Sequence, residues 1–257
     1  MRNLSEMNDM IRQKLTEIER KESVKIIFAV ESGSRAWGFS SPDSDYDVRF
    51  IYVRPVEHYL KLERTRDVIE WQLDETLDIN GWDFQKTLRL LHSSNPTLFE
   101  WSRSPVIYKN SDDWQQLMPI INDYFLAKSG VYHYLHMAAR NNREFLQFEQ
   151  VKLKKYFYVL RPILACKWIL DKNSPPPMLF TDLVSAELED NLQTIVAELL
   201  DKKINAPEIQ MIPRIDALND YIEREIQDLR ETVAKMPEIP RRDYNRLDQI
   251  FLQSLSN

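Results

Sequence analysis

Residues 31–53 read ESGSRAWGFSSPDSDYDVRFIYV, and the fold is decided by how this stretch is read. The apolar run before it, residues 24–30, has the length and composition of a buried strand. Gly33, Gly38 and the Ser-Ser-Pro-Asp sequence at 40–43 then break the chain. A second run, residues 45–53, is rich in β-branched and aromatic side chains and predicts another strand. Alternation along that strand puts Asp45 and Asp47 on one face, and Tyr46 and Val48 on the other. Two carboxylates side by side repel unless a cation or a shared proton intervenes, and a hard divalent ion with oxygen ligands is their natural partner. Mg²⁺ leads, because it takes one or two carboxylates together with substrate phosphates. The Gly33–Ser34 turn suits such phosphates: glycine lets the backbone come close, and the serine hydroxyl and following N–H groups can donate. Arg35 adds a clamp. In isolation a Gly-Ser pair reads as a turn and an Asp-x-Asp as a solvated strand end; attached to two consecutive strands, they read as one site.

Outward from this core the chain changes character. All four glycines lie within the first 130 residues, together with most of the strand-like runs. Apolar residues at Leu4, Met7, Ile11, Leu15 and Ile18 predict an amphipathic opening helix. Short strands are expected at 68–73 and 76–79, with Asp74 and Glu75 as a hairpin turn. A helix capped by Asp83 should run to His92. After a short strand at 105–108 the pattern is helical, over 112–127, 129–149, 152–172, 186–203, 213–235 and 243–254. Pro162 should kink or restart the third of the long helices, and residues 173–177 form a loop. The fold class expected is α+β, a mixed sheet with flanking helices over residues 1–110, followed by an all-α domain over 111–257.

Composition narrows the partners. The chain has 257 residues, 43% of them hydrophobic and 29% charged, which suits a folded globular protein. The longest strictly apolar run is five residues, so no membrane span is expected. The amino-terminal stretch mixes charges with single apolar residues, and a cytoplasmic protein is the expectation. A lone cysteine, Cys166, excludes an intrachain disulfide and reads as a packed thiol. With 40 acidic against 34 basic residues the net charge is −6, so any phosphate binding must be local.

Taken together, GSRAWGF, SDYDVR, GWDFQK (81–86) and NPTLFEW (95–101) resemble the predicted nucleotidyltransferases of the DNA polymerase β superfamily. The similarity is nearer to the branch that includes the RNA-repair-associated nucleotidyltransferases. It covers roughly residues 24–108 and runs more weakly through KLKKYFYVLRPILACKWIL (152–170). The resemblance implies transfer of a nucleotidyl group from an NTP, ATP among them, to a hydroxyl acceptor such as an RNA end. It implies two Mg²⁺ ions, for which Mn²⁺ can substitute, held by Asp45, Asp47 and a third carboxylate on a neighbouring strand. Asp78 matches that third position, with Asp83 as runner-up. Gly33, Ser34 and Arg35 would bind the nucleotide, and Lys155 or Arg161 would reach the triphosphate or an RNA backbone.

Blander readings stand beside these. The basic residues at 152–167 also read as a solvated face, and His133 with His136 as an exposed pair. Asn95 and Glu100 read as structural residues. A catalytically silent nucleotide-binding module of the same fold is one alternative function. A metal-dependent phosphohydrolase is another, although its Asp-x-Asp follows a hydrophobic strand, and here the apolar strand comes after the pair. The expected assembly is a monomer or small homo-oligomer.

Overall fold

The structure, a computed structural model, describes residues 4–63, 65–74, 76–205, 207 and 209–256. In chain order its elements are α1 (Leu4–Glu22), β1 (Lys25–Glu31), α2 (Gly33–Ala36), β2 (Tyr46–Val53), α3 (Val56–Tyr59), β3 (Val68–Asp74), β4 (Leu77–Asp83), α4 (Phe84–His92), α5 (Pro96–Trp101), β5 (Ile107–Asn110), α6 (Asp112–Gln115) and α7 (Met118–Ile121). There follow α8 (Ala127–Phe145), β6 (Gln150–Lys152), α9 (Lys154–Lys172), α10 (Phe180–Glu187), α11 (Asp190–Asn205), β7 (Met211–Pro213), α12 (Asp216–Lys235) and α13 (Asn245–Ser256). The class is α+β, as its strand and helix patterns predict. Glu75 of the expected hairpin turn lies outside the described residues.

The chain divides into two compact units, each assembled from separate stretches. The first comprises residues 1–33, 45–124 and 241–257; the second comprises 34–44 and 125–240. The border thus falls after Tyr124, not at residue 110.

In the first unit a five-stranded mixed sheet has the order β3-β4-β2-β1-β5. β2 and β4 are parallel, and the other neighbouring pairs are antiparallel. Alternation along β2 turns Val48, Phe50 and Tyr52 into a core shared with Ile11, Leu15 and Ile18 of α1, and with Leu77 and Ile79 of β4. The opposite face carries Phe28 stacked on Trp114 at 4.2 Å, and Trp82 against Trp101 at 4.0 Å. β1 is buried along nearly its whole length, which is why it reads as a continuous apolar run. The helix expected over 112–127 is instead two short helices and a 3₁₀ turn, with Pro119 opening the second helix at a position where its missing N–H costs nothing.

The second unit is helical, with a small β6–β7 ribbon at residues lying almost wholly between the helices expected. α9 runs unbroken through Pro162, against expectation. Its flanking residues Leu160, Ile163 and Leu164 are fully buried, and their packing outweighs the roughly 3 kcal/mol that an interior proline costs. Residues 34–44 belong to this unit through aromatic packing. Phe39 lies 5.1 Å from Phe157 and 5.6 Å from Phe180, and the Phe180 N–H donates to the Trp37 carbonyl at 2.9 Å. Cys166 is fully buried, and burial pushes its thiol well above the usual range. Among the described residues no helix is long and apolar enough to cross a membrane.

Candidate active site

The pairing of β2 with β4 places Asp47 directly beside Asp78. Both project from the sheet face opposite α1, because Val48 and Ile79, their neighbours in sequence, point into the α1 core. Two residues along the same face, Arg49 reaches back to both acids. Its Nη2 donates to Asp47 Oδ1 at 2.9 Å and to Asp78 Oδ2 at 2.8 Å. Its Nη1 donates to the carbonyls of Val48 at 3.0 Å and Asp78 at 3.2 Å. The cluster is partly open: side-chain exposure is 31% for Asp47, 53% for Asp78 and 18% for Arg49.

Gly33 has φ +58°, in the left-handed region. A Cβ there would lie 2.0 Å from Asp47 Oδ2, so the absence of a side chain makes room for this carboxylate. The Asp47 peptide is held on both sides. Its carbonyl accepts from the Ser32 N–H at 2.8 Å, and its N–H donates to Glu31 Oε1 at 2.7 Å. Glu31 is 1% exposed; its other oxygen accepts from the Tyr108 hydroxyl, and its carbonyl accepts from Ser104 Oγ at 2.6 Å. Arg49 and Glu31 are therefore site residues that the sequence reading passed over. Arg49 carried a usable signal, a cation at the same strand parity as Asp47. Glu31 carried a weaker one, an acid ending an apolar strand.

Glu31→Ala removes the acceptor for two donors, the part-buried Asp47 N–H and the buried Tyr108 hydroxyl. At about 1–3 kcal/mol for each donor left unsatisfied, it should cost roughly 2–6 kcal/mol. Glu31→Gln keeps an acceptor and should recover most of this; urea titration of the two variants measures the difference in midpoint.

The other predicted residues fall as follows. Asp45 is exposed and precedes β2. Among the described residues no three His, Cys, Asp or Glu side chains converge as a metal-ready group, so Asp45 does not complete a trio with Asp47 and Asp78 in this arrangement. Ser34 is buried in α2, and Arg35 Nη2 donates to the Ser44 carbonyl at 2.6 Å. Asp83 caps α4: Oδ1 accepts from the Gln85 N–H at 2.8 Å, and Oδ2 from the Tyr59 hydroxyl at 2.9 Å. Burial raises its pKa. It pairs with Tyr52, five positions along from the Asp47–Asp78 pair, or about 17 Å at the usual strand rise. Asn95 likewise caps α5, accepting from the Thr97 N–H at 3.0 Å.

In the helical unit Arg161 is 2% exposed, 4.6 Å from the Trp37 ring centroid, with Nη2 3.4 Å from the Met178 carbonyl. Lys155 stands 3.5 Å above the Phe145 ring. Burial, and then its neighbours Lys154 and Lys152, lower its pKa. It lines an open cavity of about 560 Å³ with His133, His136, Arg140 and Tyr158.

The Asp47–Asp78 pair fits a hard divalent ion in its donor chemistry: two carboxylates in register, one set against a glycine whose Cβ would fill the space beside it.

Comparisons with known proteins place the chain in a family. The model of the RNA repair pathway DNA polymerase beta family matches residues 7–253. "Uncharacterized protein YcgL" of Bacillus subtilis (strain 168) is 43% identical over 251 residues, covering 97% of this chain and 96% of that protein. A solved structure described as a nucleotidyltransferase-like protein from Exiguobacterium sibiricum 255-15 aligns over 95% of this chain and 89% of its own. Its TM-score of 0.33 and 15% identity are too low to bear on the site.

Proposed function

We propose that this chain, which belongs to the RNA repair pathway DNA polymerase beta family, transfers a nucleotidyl group from an NTP to a hydroxyl acceptor such as an RNA end. The observation that carries the reading is the register of Asp47 with Asp78 on parallel strands, beside a glycine cleared for the Asp47 carboxylate.

Asp47 and Asp78, with Asp45 drawn in, would hold Mg²⁺ or Mn²⁺, two ions in the family's manner; bound metal neutralises charge on the phosphates and lowers the pKa of an acceptor hydroxyl. The chain's own part is positional. The turn from Gly33 into Ser34 offers backbone N–H groups and a hydroxyl to phosphate oxygens, and Arg35 holds the carbonyl of Ser44, next in sequence to Asp45. Glu31 fixes the Asp47 backbone from below. In the helical unit Lys155 faces an open cavity and suits an acceptor or nucleotide phosphate; the buried Arg161 serves the core there. No protein nucleophile is needed, since the acceptor hydroxyl attacks the α-phosphorus and pyrophosphate leaves.

The test is transfer of label from each α-³²P-NTP, with Mg²⁺ or Mn²⁺, to RNA, protein and small-molecule acceptors. Incorporation by the wild type and its loss in Asp45→Ala/Asp47→Ala is the expected result. The ion pairing of Arg49 to both acids favours a second reading, a silent nucleotide-binding module. Metal-dependent NTP binding without transfer to any acceptor would establish it instead.

A further inference from the structure

The carboxylate pair already has a cation. Asp47 and Asp78 sit side by side on adjacent parallel strands, where backbones run about 4.8 Å apart, so their charges repel unless something stands between them. Arg49 stands there. One nitrogen of its guanidinium bonds both carboxylates, at 2.9 and 2.8 Å, while the other is tied to the Val48 and Asp78 carbonyls. A planar fork with donors in fixed directions can hold two acids and two carbonyls at once; a lysine ammonium could not reproduce that geometry. Arg49 leaves β2 on the same face as Asp47 because it is two residues on, so the contact is built into the strand and does not depend on a distant loop.

We propose that Arg49 is the resident counter-cation of this pair, and that a divalent ion binds Asp47 and Asp78 at its expense. The proposal rests on the nucleotidyltransferase reading for the metal itself, and adds that metal and guanidinium are antagonists. Arg49 uses Asp47 Oδ1 and Asp78 Oδ2, and a divalent ion held by the same two carboxylates would oppose the guanidinium, since both are cations drawn to the same pair of charges. By linkage, whatever the guanidinium loses to the metal, the metal loses to the guanidinium. Strand pairing sets the two acids in register, and Arg49 offsets their mutual repulsion there.

The experiment is Mn²⁺ binding followed by the fall in the free-ion EPR signal, on the full chain without nucleotide. Wild type, Arg49→Gln, Arg49→Lys and Asp78→Asn are compared, each with thermal melts in EDTA and in saturating Mn²⁺. Arg49→Gln should bind Mn²⁺ about tenfold more tightly than wild type, Arg49→Lys should fall between them, and Asp78→Asn should lose binding. In EDTA Arg49→Gln should melt below wild type, and Mn²⁺ should close that gap. Equal or weaker Mn²⁺ binding by Arg49→Gln, or a melting gap that Mn²⁺ leaves unchanged, overturns the proposal while leaving the function standing. Should Arg49→Gln not fold, Arg49→Lys binding no more tightly than wild type overturns it equally. Failure of all four proteins to bind Mn²⁺ overturns the metal site, and the proposal with it.

Discussion

Gly33→Ala is expected to lower nucleotidyl transfer about 100-fold while leaving the protein folded. Two separate effects act at this position. At φ +58° an alanine pays roughly 1–2 kcal/mol for the left-handed conformation, which should lower the melting temperature by a few degrees in a chain of this length. The new methyl would also stand 2.0 Å from Asp47 Oδ2 and 2.9 Å from its Cγ. Asp47 is partly exposed and can swing away, so the overlap is relieved cheaply in stability and expensively in geometry. The carboxylate must move by more than an ångström, and a displacement of that size at a reacting centre costs about 10²-fold in rate. Steady-state transfer assays together with thermal melts separate the two effects. A variant that melts a few degrees lower yet transfers at the wild-type rate would show that Asp47 tolerates displacement, and that the glycine serves the turn alone.

How much of this was legible depended on how local the determining interaction is. That Asp47 and Val48 face opposite sides of β2 follows from strand alternation, and the capping role of Asp83 follows from the helical pattern just after it. The partnership of Asp47 with Asp78 does not. It depends on β2 and β4 running parallel with β3 outside β4, a pairing across 31 residues that no local pattern encodes, and Asp78 was reached through resemblance. Arg49 obeys the same alternation as Asp47 but reads as an ordinary exposed arginine until its second acid arrives from another strand. The placement of 34–44 with the helical unit was hidden for a similar reason. Trp37 and Phe39 look like loop aromatics, and only Phe157 and Phe180, more than a hundred residues on, turn them into core. The kink expected at Pro162 is absent because its buried neighbours, remote in their partners, offset the local penalty.

The central claim is that Asp47 and Asp78, and not Asp83, are the working carboxylates. Asp78 is half exposed, and its side chain bonds an arginine, so Asp78→Asn removes charge with little cost to the fold. Asp83 is 5% exposed and holds the α4 N–H end and the Tyr59 hydroxyl, so Asp83→Ala removes a cap and leaves a half-buried donor, at about 2–4 kcal/mol. The decisive measurement is the rate of α-labelled NTP transfer by these two variants, each normalised to its folded fraction at the assay temperature. Asp78→Asn should lose about 10³-fold in rate with a melting temperature near wild type. Asp83→Ala should melt markedly lower and transfer at close to the wild-type rate per folded molecule. An Asp78→Asn that transfers normally, beside a folded Asp83→Ala that does not transfer, would contradict the account.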